Sequence, residues 1–392
     1  MRTAVPSRPH VLVLLGCFAS SNHSTGPNPS LLGMHAELED RFEFAVLGEA
    51  RGHDVPGRWR ELWGVRQMPL EVAMLGARGL IAAVNNWPHD LVILNGFNDR
   101  VFTIPYLLAR RSHLVPKRPV LLAPHGEFSP GALRLSPTRK RSWRQLAQAA
   151  GLLDGVTFQA FSSAELANIK NHFGERQRVI LSPAIKSIPA PVERNERGDA
   201  VEEVRCVFLS RIDPMKNLNF LLEALCDAEV PASLDIWGPI SDQQYWRACQ
   251  RRIGALPTHL QVTYRGECPQ EQVLTTLSEY DVMFLPTLGE NFGHAIADAL
   301  LAGTPVLISD RTPWRRLRER NAGWDLPLEQ PATFAAALRE LAVMPPEQRR
   351  AMRQGARQAA EDLLDPAGAA EAVARQLREL IAGAPAKERN MA

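Results

Sequence analysis

Asp281–Ser309 reads DVMFLPTLGENFGHAIADALLAGTPVLIS. Two short apolar runs stand at its ends, DVMFLP and PVLIS. Neither alternates polar with apolar residues, which is how strands covered on both faces read. Between them a loop carrying Glu290, Asn291 and Gly293 leads into a short helical stretch with Asp298, and Gly303 precedes the second run. Strand, loop, helix and strand in that order form a βαβ unit, which implies a parallel sheet.

The same alternation extends in both directions. Upstream of the unit come VRCVFLS from Val204, SLDIWG from Ser233 and QVTYRG from Gln261. A separate series occupies the first half: HVLVLLG from His10, FEFAVLG from Phe42, LVILNG from Leu91, PVLLAPH from Pro119 and VTFQA from Val156. Helix-length stretches separate the runs, so each series reads as a doubly wound α/β domain. Between the series, KSIPAPVERNERGDAVEE (186–203) is rich in Pro and charge and poor in apolar residues, as an interdomain linker is. The expected division is 1–190 for an N-terminal Rossmann-like domain, 200–365 for a C-terminal one, and 366–392 for a final helix and tail.

A chain of 392 residues exceeds one ordinary core, and 45% apolar residues suffice for two. The 45 basic and 43 acidic side chains nearly cancel, so no global field draws nucleic acid. Cys17, Cys206, Cys226, Cys249 and Cys268 are odd in number and irregularly spaced, a pattern of free thiols in a reducing compartment. No apolar run reaches the length of a membrane-spanning helix. Arg2 and Arg8 before VLVLLGC suggest a lipoprotein signal, but Val11–Leu15 is shorter than such a core and reads as a buried first strand. The expected location is the cytoplasm, with peripheral contact at the inner face of the membrane.

In doubly wound sheets, ligands bind beyond the carboxyl ends of the strands, so the residues just after each run carry the chemistry. After VRCVFLS, Arg211 and Lys216 in RIDPMKN stand in a loop that opens a helix and could clasp a diphosphate. If the segment from Asn291 is helical, its rise puts Asp298 roughly 10 Å beyond Glu290, about the span from ribose to hexose in a nucleotide sugar. A far carboxylate can accept ribose hydroxyls while the near one meets the sugar. Backbone N–H groups of Asn291–Gly293 would face the phosphates, with Gly293 allowing close approach. Taken singly, Glu290 reads better as a helix-capping acid and Asp298 as an ordinary exposed position.

The string GENFGHAIADALLAGTPVLISDRTPW, with SRIDPMKN upstream and PHGEFSPGAL from Pro124, resembles the retaining GT-B glycosyltransferases of family 4. The resemblance covers nearly the whole chain. It implies two Rossmann-like domains facing a central cleft that holds a nucleotide sugar. It assigns Glu290 to the transferred sugar, Asp298 to the ribose, and Arg211 with Lys216 to the departing diphosphate. Asn291, Phe292 and Gly293 would offer backbone N–H groups, and Gly266 and Glu267 in YRGECP would lie near the nucleobase. The family motif ends in Glu at both acidic positions, whereas this chain has Asp298 at the second. His125, after PVLLAP, matches a position near the transferred sugar. Gly26 and Ser30, in SSNHSTGPNPS, match the loop facing acceptor and phosphate.

The implied reaction moves a hexose-type sugar, with retention, to a saccharide or lipid-linked acceptor in polysaccharide or cell-envelope glycan synthesis. Stabilisation would be mainly electrostatic, with Arg211 and Lys216 meeting the charge that grows on the diphosphate. No D-x-D pair or His/Cys cluster supplies metal ligands, so metal independence is expected and no cofactor is implied. RRSHLVPKR (110–118) and RKRSWRQ (139–145) are basic segments that could meet anionic lipid headgroups. Nucleic-acid binding lacks aromatic interleaving beyond Trp143. Two alternatives stay open: a nucleotide-sugar epimerase of the same fold, and a non-catalytic GT-B partner subunit.

Overall fold

The computed structural model describes residues 8–16, 27–50, 55, 57–62, 64–134, 137–192 and 203–383. In chain order the first half forms β1 (His10–Leu15), α1 (Pro27–Leu38), β2 (Glu43–Glu49), β3 (Arg60–Leu62), β4 (Val65–Leu70) and α2 (Val72–Asn86). Next come β5 (Leu91–Asn95), α3 (Thr103–Arg111), β6 (Val120–Ala123), α4 (Pro130–Arg134), α5 (Pro137–Ala149), β7 (Val156–Ala160), α6 (Ser163–Phe173) and β8 (Val179–Leu181). The second half forms β9 (Val204–Leu209), α7 (Leu218–Ala228), β10 (Ala232–Trp237), α8 (Gln243–Ile253), β11 (Leu260–Gly266) and α9 (Val273–Ser278). It continues with β12 (Val282–Leu285), α10 (His294–Leu301), β13 (Val306–Ser309), β14 (Gly323–Leu326), α11 (Pro331–Ala342), α12 (Pro346–Leu363) and α13 (Pro366–Ala382).

Two units result: Met1–Lys186 with Pro366–Ala392, and Ser187–Asp365. The first holds a sheet in the order β3-β4-β2-β1-β5-β6-β7-β8, parallel except for the β3–β4 pair. The second holds β11-β10-β9-β12-β13-β14, parallel throughout. Counted from β9, that is the 3-2-1-4-5-6 order of dinucleotide-binding folds.

The unbroken apolar runs follow from this architecture, because successive strand residues face opposite sides and each side is covered. In the first sheet Leu12, Leu14, Val92, Leu94 and Phe158 share one core, while Val11, Val13, Leu91, Ile93 and Leu121 share the other. In the second unit Phe208, Leu222, Phe284, Leu300 and Phe334 lie in one continuous core. Each such side chain contributes about 1.5–3 kcal/mol on burial.

Four strands escape the sequence reading. β3 and β4 (REL and VRQMPL) mix polar residues and a proline into a sheet edge, and β8 and β14 are three and four residues long. The last helix, set apart in the sequence as a terminal segment, packs into the first unit. Ala374 and Leu377 of α13 join the core of Val11 and Val13. Gln376 Nε2 donates to Leu181 O at 2.8 Å, and Ser182 Oγ donates to Gln376 Oε1 at 2.8 Å.

Among the described residues no helix is long and apolar enough to cross a membrane. Cys206, Cys226, Cys249 and Cys268 are free thiols, and Cys17 lies outside the described residues.

Candidate functional site

In the second sheet β9 and β12 are neighbours, although β10 and β11 intervene in sequence. The strand order reverses there. Open α/β sheets bind ligands beyond the carboxyl ends of the strands at such a switch point. The loop after β9 is shaped by Asp213, whose Oδ1 accepts from Lys216 N at 3.2 Å and caps a single 3₁₀ turn, Pro214–Lys216. Asn217 then takes a left-handed conformation with φ 59°. Its Nδ2 donates to Pro286 O at 3.1 Å, in the loop after β12.

Two further bonds lace these loops together. Leu288 N and Thr287 Oγ1 both donate to Met215 O, at 2.8 and 3.1 Å. The lacing brings Lys216 to Glu290, with Nζ to Oε1 at 2.5 Å and each side chain only 13% exposed. Beside them Arg211 Nη2 lies 3.4 Å from Asp213 Oδ2 and stays 41% exposed. Arg211, Asp213 and Lys216 come from one loop, and Glu290 joins Lys216 from 74 positions away. Gly238, at the end of β10, permits this approach, since a Cβ there would lie 2.0 Å from Ser210 O and 3.3 Å from Arg211 N.

Glu290 is fixed from the other side, its N–H donating to Arg311 O at 3.1 Å. Phe292 O accepts from Trp314 Nε1 at 2.6 Å. Gly293 has φ 81°, and α10 starts only at His294. The helical segment expected from Asn291 is therefore a loop as far as Gly293, because the left-handed turn there cannot continue a helix. The separation of Glu290 from Asp298 accordingly follows no single helical rise. Gly293 is the residue at the N-cap of α10 and, having no side chain, makes no side-chain cap hydrogen bond there. Asp298 lies inside α10 and is 9% exposed. Gly266 ends β11, two strands from β9, with φ 80°, and Glu267 is exposed beside it.

The first unit has its own reversal, between β1 and β5. Asn95 ends β5; its Nδ2 donates to Leu14 O at 3.2 Å, and its Oδ1 lies 2.9 Å from His125 Nε2. His125 has φ 49° and the next residue, Gly126, φ 82°. Holding a non-glycine residue left-handed costs energy that its surroundings must supply. Glu165, 2% exposed, does so by accepting Gly126 N at 2.7 Å and Phe161 N at 2.9 Å. The Phe161 ring then stacks on the imidazole at 5.2 Å. Withdrawal from water lowers the His125 pKa from 6.5 to about 4, so the ring is neutral near pH 7.

His125 and Ser30 line one small cavity, together with Asn95, Gln159 and Phe161. Gly26 lies outside the described residues. Asn95 and Gln159 were legible in principle, since each ends or nearly ends an apolar run, LVILN and VTFQA. Asp213, directly before Pro214, was legible as a local cap, whereas Glu165 carried no such signal for Gly126, 39 positions away, which only the fold brings near.

The basic segments divide. Arg110 and Arg118 are buried, and Arg110 Nη1 donates to Asp154 O at 2.9 Å. Trp143 turns inward to Phe97, donating from Nε1 to its carbonyl at 3.1 Å. Arg111, Lys117 and Arg141 remain exposed. Among the described residues no group of three His, Cys, Asp or Glu side chains is placed to hold a metal ion.

Residues 190–359 match the family model described as glycosyl transferases group 1. This segment contains Arg211, Lys216, Glu290 and Asp298. A phosphatidyl-myo-inositol mannosyltransferase of Mycobacterium leprae is 30% identical over 142 residues, 34% of this chain and 35% of that protein. The match thus spans about a third of that relative's length. The fold is similar over almost the whole chain to sucrose-phosphate synthase from Thermosynechococcus elongatus. The TM-score is 0.74 at 17% identity, covering 96% of this chain and 100% of that one. Anabaena HepE, solved in complex with UDP and glucose, gives 0.71 at 16% identity, covering 95% and 100%. The two parallel-sheet units are thus Rossmann-like domains of the GT-B type.

Proposed function

We propose that the protein is a glycosyltransferase that takes a hexose-type sugar from a nucleoside-diphosphate donor and transfers it, with retention, to a saccharide or lipid-linked saccharide. The observation that carries this reading is the quartet of Arg211, Lys216, Asp213 and Glu290 at the strand reversal of the second sheet. Both cations are held by carboxylates within the loops that would receive the donor. A diphosphate competes for Lys216 and Arg211 with stronger, multidentate charge. Lys216 then turns to the phosphates and Glu290 is freed to meet the sugar. The N-terminus of α10 adds a partial positive charge.

As the sugar–phosphate bond lengthens, charge grows on the departing diphosphate. Fixed cations there favour the transition state over the bound substrate. The departing phosphate takes the acceptor proton, consistent with front-face transfer. Asp298 would hold the ribose and Gly266 with Glu267 would border the base. His125 would lie near the transferred sugar, and Ser30 on the acceptor side. Similarity to the mannosyltransferase, together with exposed Arg111, Lys117 and Arg141, supports an acceptor at the inner face of a membrane, in envelope glycan synthesis. No metal ion or cofactor is needed in this scheme.

A thermal-shift screen of nucleotide sugars tests the reading, because a ligand bound only by the native state raises the melting temperature. One nucleotide sugar should stabilise the protein by several degrees and then support transfer to an added acceptor. Hydrolysis or rearrangement of the donor with no acceptor present would instead indicate an epimerase. Donor binding with no turnover under any acceptor would indicate a non-catalytic subunit.

A further inference from the structure

The ion pair at the reversal of the second sheet is self-contained. Lys216 Nζ and Glu290 Oε1 are 2.5 Å apart with each side chain 13% exposed, and among the described residues neither charged group has another hydrogen-bond partner. Each charge is therefore compensated by the other alone, and parting them leaves a largely buried charge without a counter-ion. The backbone beneath them is fixed independently. Asp213 holds Lys216 N, Arg311 O holds Glu290 N, and Met215 O accepts from both Leu288 and Thr287. A change of partner at this point is thus a matter of two side chains, with the loops staying where they are.

The neighbouring pair is built differently. Arg211 is 41% exposed, and when it leaves Asp213 for a phosphate that carboxylate keeps the backbone N–H of Lys216. Glu290 has no second donor of this kind. The asymmetry bears on which ligand the site holds. A nucleoside diphosphate that draws Lys216 to its phosphates strands Glu290 and sets negative charge beside it. A nucleotide sugar draws the lysine in the same way but also brings hydroxyls that donate to the carboxylate. Glu290 is thus compensated with the donor bound and uncompensated with the bare diphosphate bound.

We infer that Glu290 is a product-release residue: by competing with the diphosphate for Lys216, it makes the site favour the nucleotide sugar over the nucleoside diphosphate that transfer leaves behind. The inference rests on the transferase reading and adds to it a discrimination between substrate and product. No covalent bond changes in this step; an ion pair opens when the donor enters and closes as the diphosphate leaves.

The test is titration calorimetry on the full chain with UDP, GDP and ADP and with UDP-glucose, GDP-mannose and ADP-glucose, carried forward with the nucleotide that binds the parent. Glu290→Gln keeps the shape of the side chain and removes its charge. This variant should bind the nucleoside diphosphate about tenfold tighter than the parent does, and should gain clearly less with the nucleotide sugar. The preference for donor over product then falls, which a merely structural role for Glu290 would not produce. Glu290→Ala, with the same expected direction, serves as a second variant should Gln disturb the loop. In the parent labelled with ¹³C and ¹⁵N, the nucleoside diphosphate should shift the Lys216 ammonium and Glu290 carboxyl signals together.

Unchanged or weaker diphosphate binding in both Glu290 variants would overturn the inference, and so would equal gains with diphosphate and nucleotide sugar. A Glu290 carboxyl signal that stays in place when the diphosphate binds would do the same, by showing that the ion pair never opens. The two readings fail separately. If none of the six ligands binds the parent, the transferase reading falls and this inference with it. Diphosphate binding that the Glu290 variants leave unchanged removes the inference alone.

Discussion

The two strand reversals share a topology and differ in charge. Between β9 and β12 two cations meet two carboxylates, and Lys216 contacts Glu290 at 2.5 Å. At the β1–β5 reversal Asn95 ends β5 and holds His125, from the loop after the neighbouring β6, with the imidazole kept neutral near pH 7 by burial. A doubly wound sheet thus dictates where a ligand goes and leaves the chemistry to whichever residues end the strands. One end suits a group that gains negative charge as it departs. The other is an uncharged hydrogen-bonding pair, Asn95 with a neutral His125.

Removing a charge should separate the two ends most strongly. Lys216→Ala should lower turnover by about 10²–10³-fold, the scale for losing one preorganised stabiliser of developing charge. In the same variant the His125 ring spectrum should stay unchanged. Near-normal turnover would show that the diphosphate is held elsewhere and would dissolve the contrast.

Salt gives a second, smaller separation. Raising ionic strength from about 0.05 to 0.5 M shortens the screening length several-fold and should weaken nucleoside-diphosphate binding about tenfold. The His125 ring spectrum should not change between the two salt concentrations, while titration calorimetry reads the diphosphate. A His125 spectrum that moves with salt would mean that the first unit also presents charge.

Acid probes the neutral end alone. The folded His125 pKa, about 4, lies below its ordinary 6.5. The unfolded chain therefore takes up the proton first, so this contribution to stability is intact above about pH 6.5 and is lost as pH falls toward 4. His35 and His89, both also lowered by burial, act in the same direction. The melting temperature should fall between pH 7.5 and 4.5 by a few degrees less in His125→Gln than in the parent. Parallel curves would place the acid sensitivity in other groups.

How much of this could be read from the chain differs from residue to residue. Arg211 and His125 follow directly on apolar runs, and Lys216 and Glu290 stand within the loops after such runs, where an α/β sheet puts ligand contacts. The start of α10 was misplaced because Asn291 and Phe292 carry no helix-stop signal, and only the backbone shows Gly293 left-handed. β3 and β8 were missed because three residues give no periodicity to read.

The sequence by itself determined the two series of buried strands, their parallel pairing and the residues at their carboxyl ends, because these depend on local apolar runs and their spacing. Tertiary structure alone decided that Lys216 meets Glu290 across 74 positions of sequence. It likewise decided that α13 returns to the first unit, and that Asn95 and Glu165 fix the imidazole of His125. Those contacts depend on strand order and on backbone donors brought together in space, and neither leaves a pattern in the linear chain.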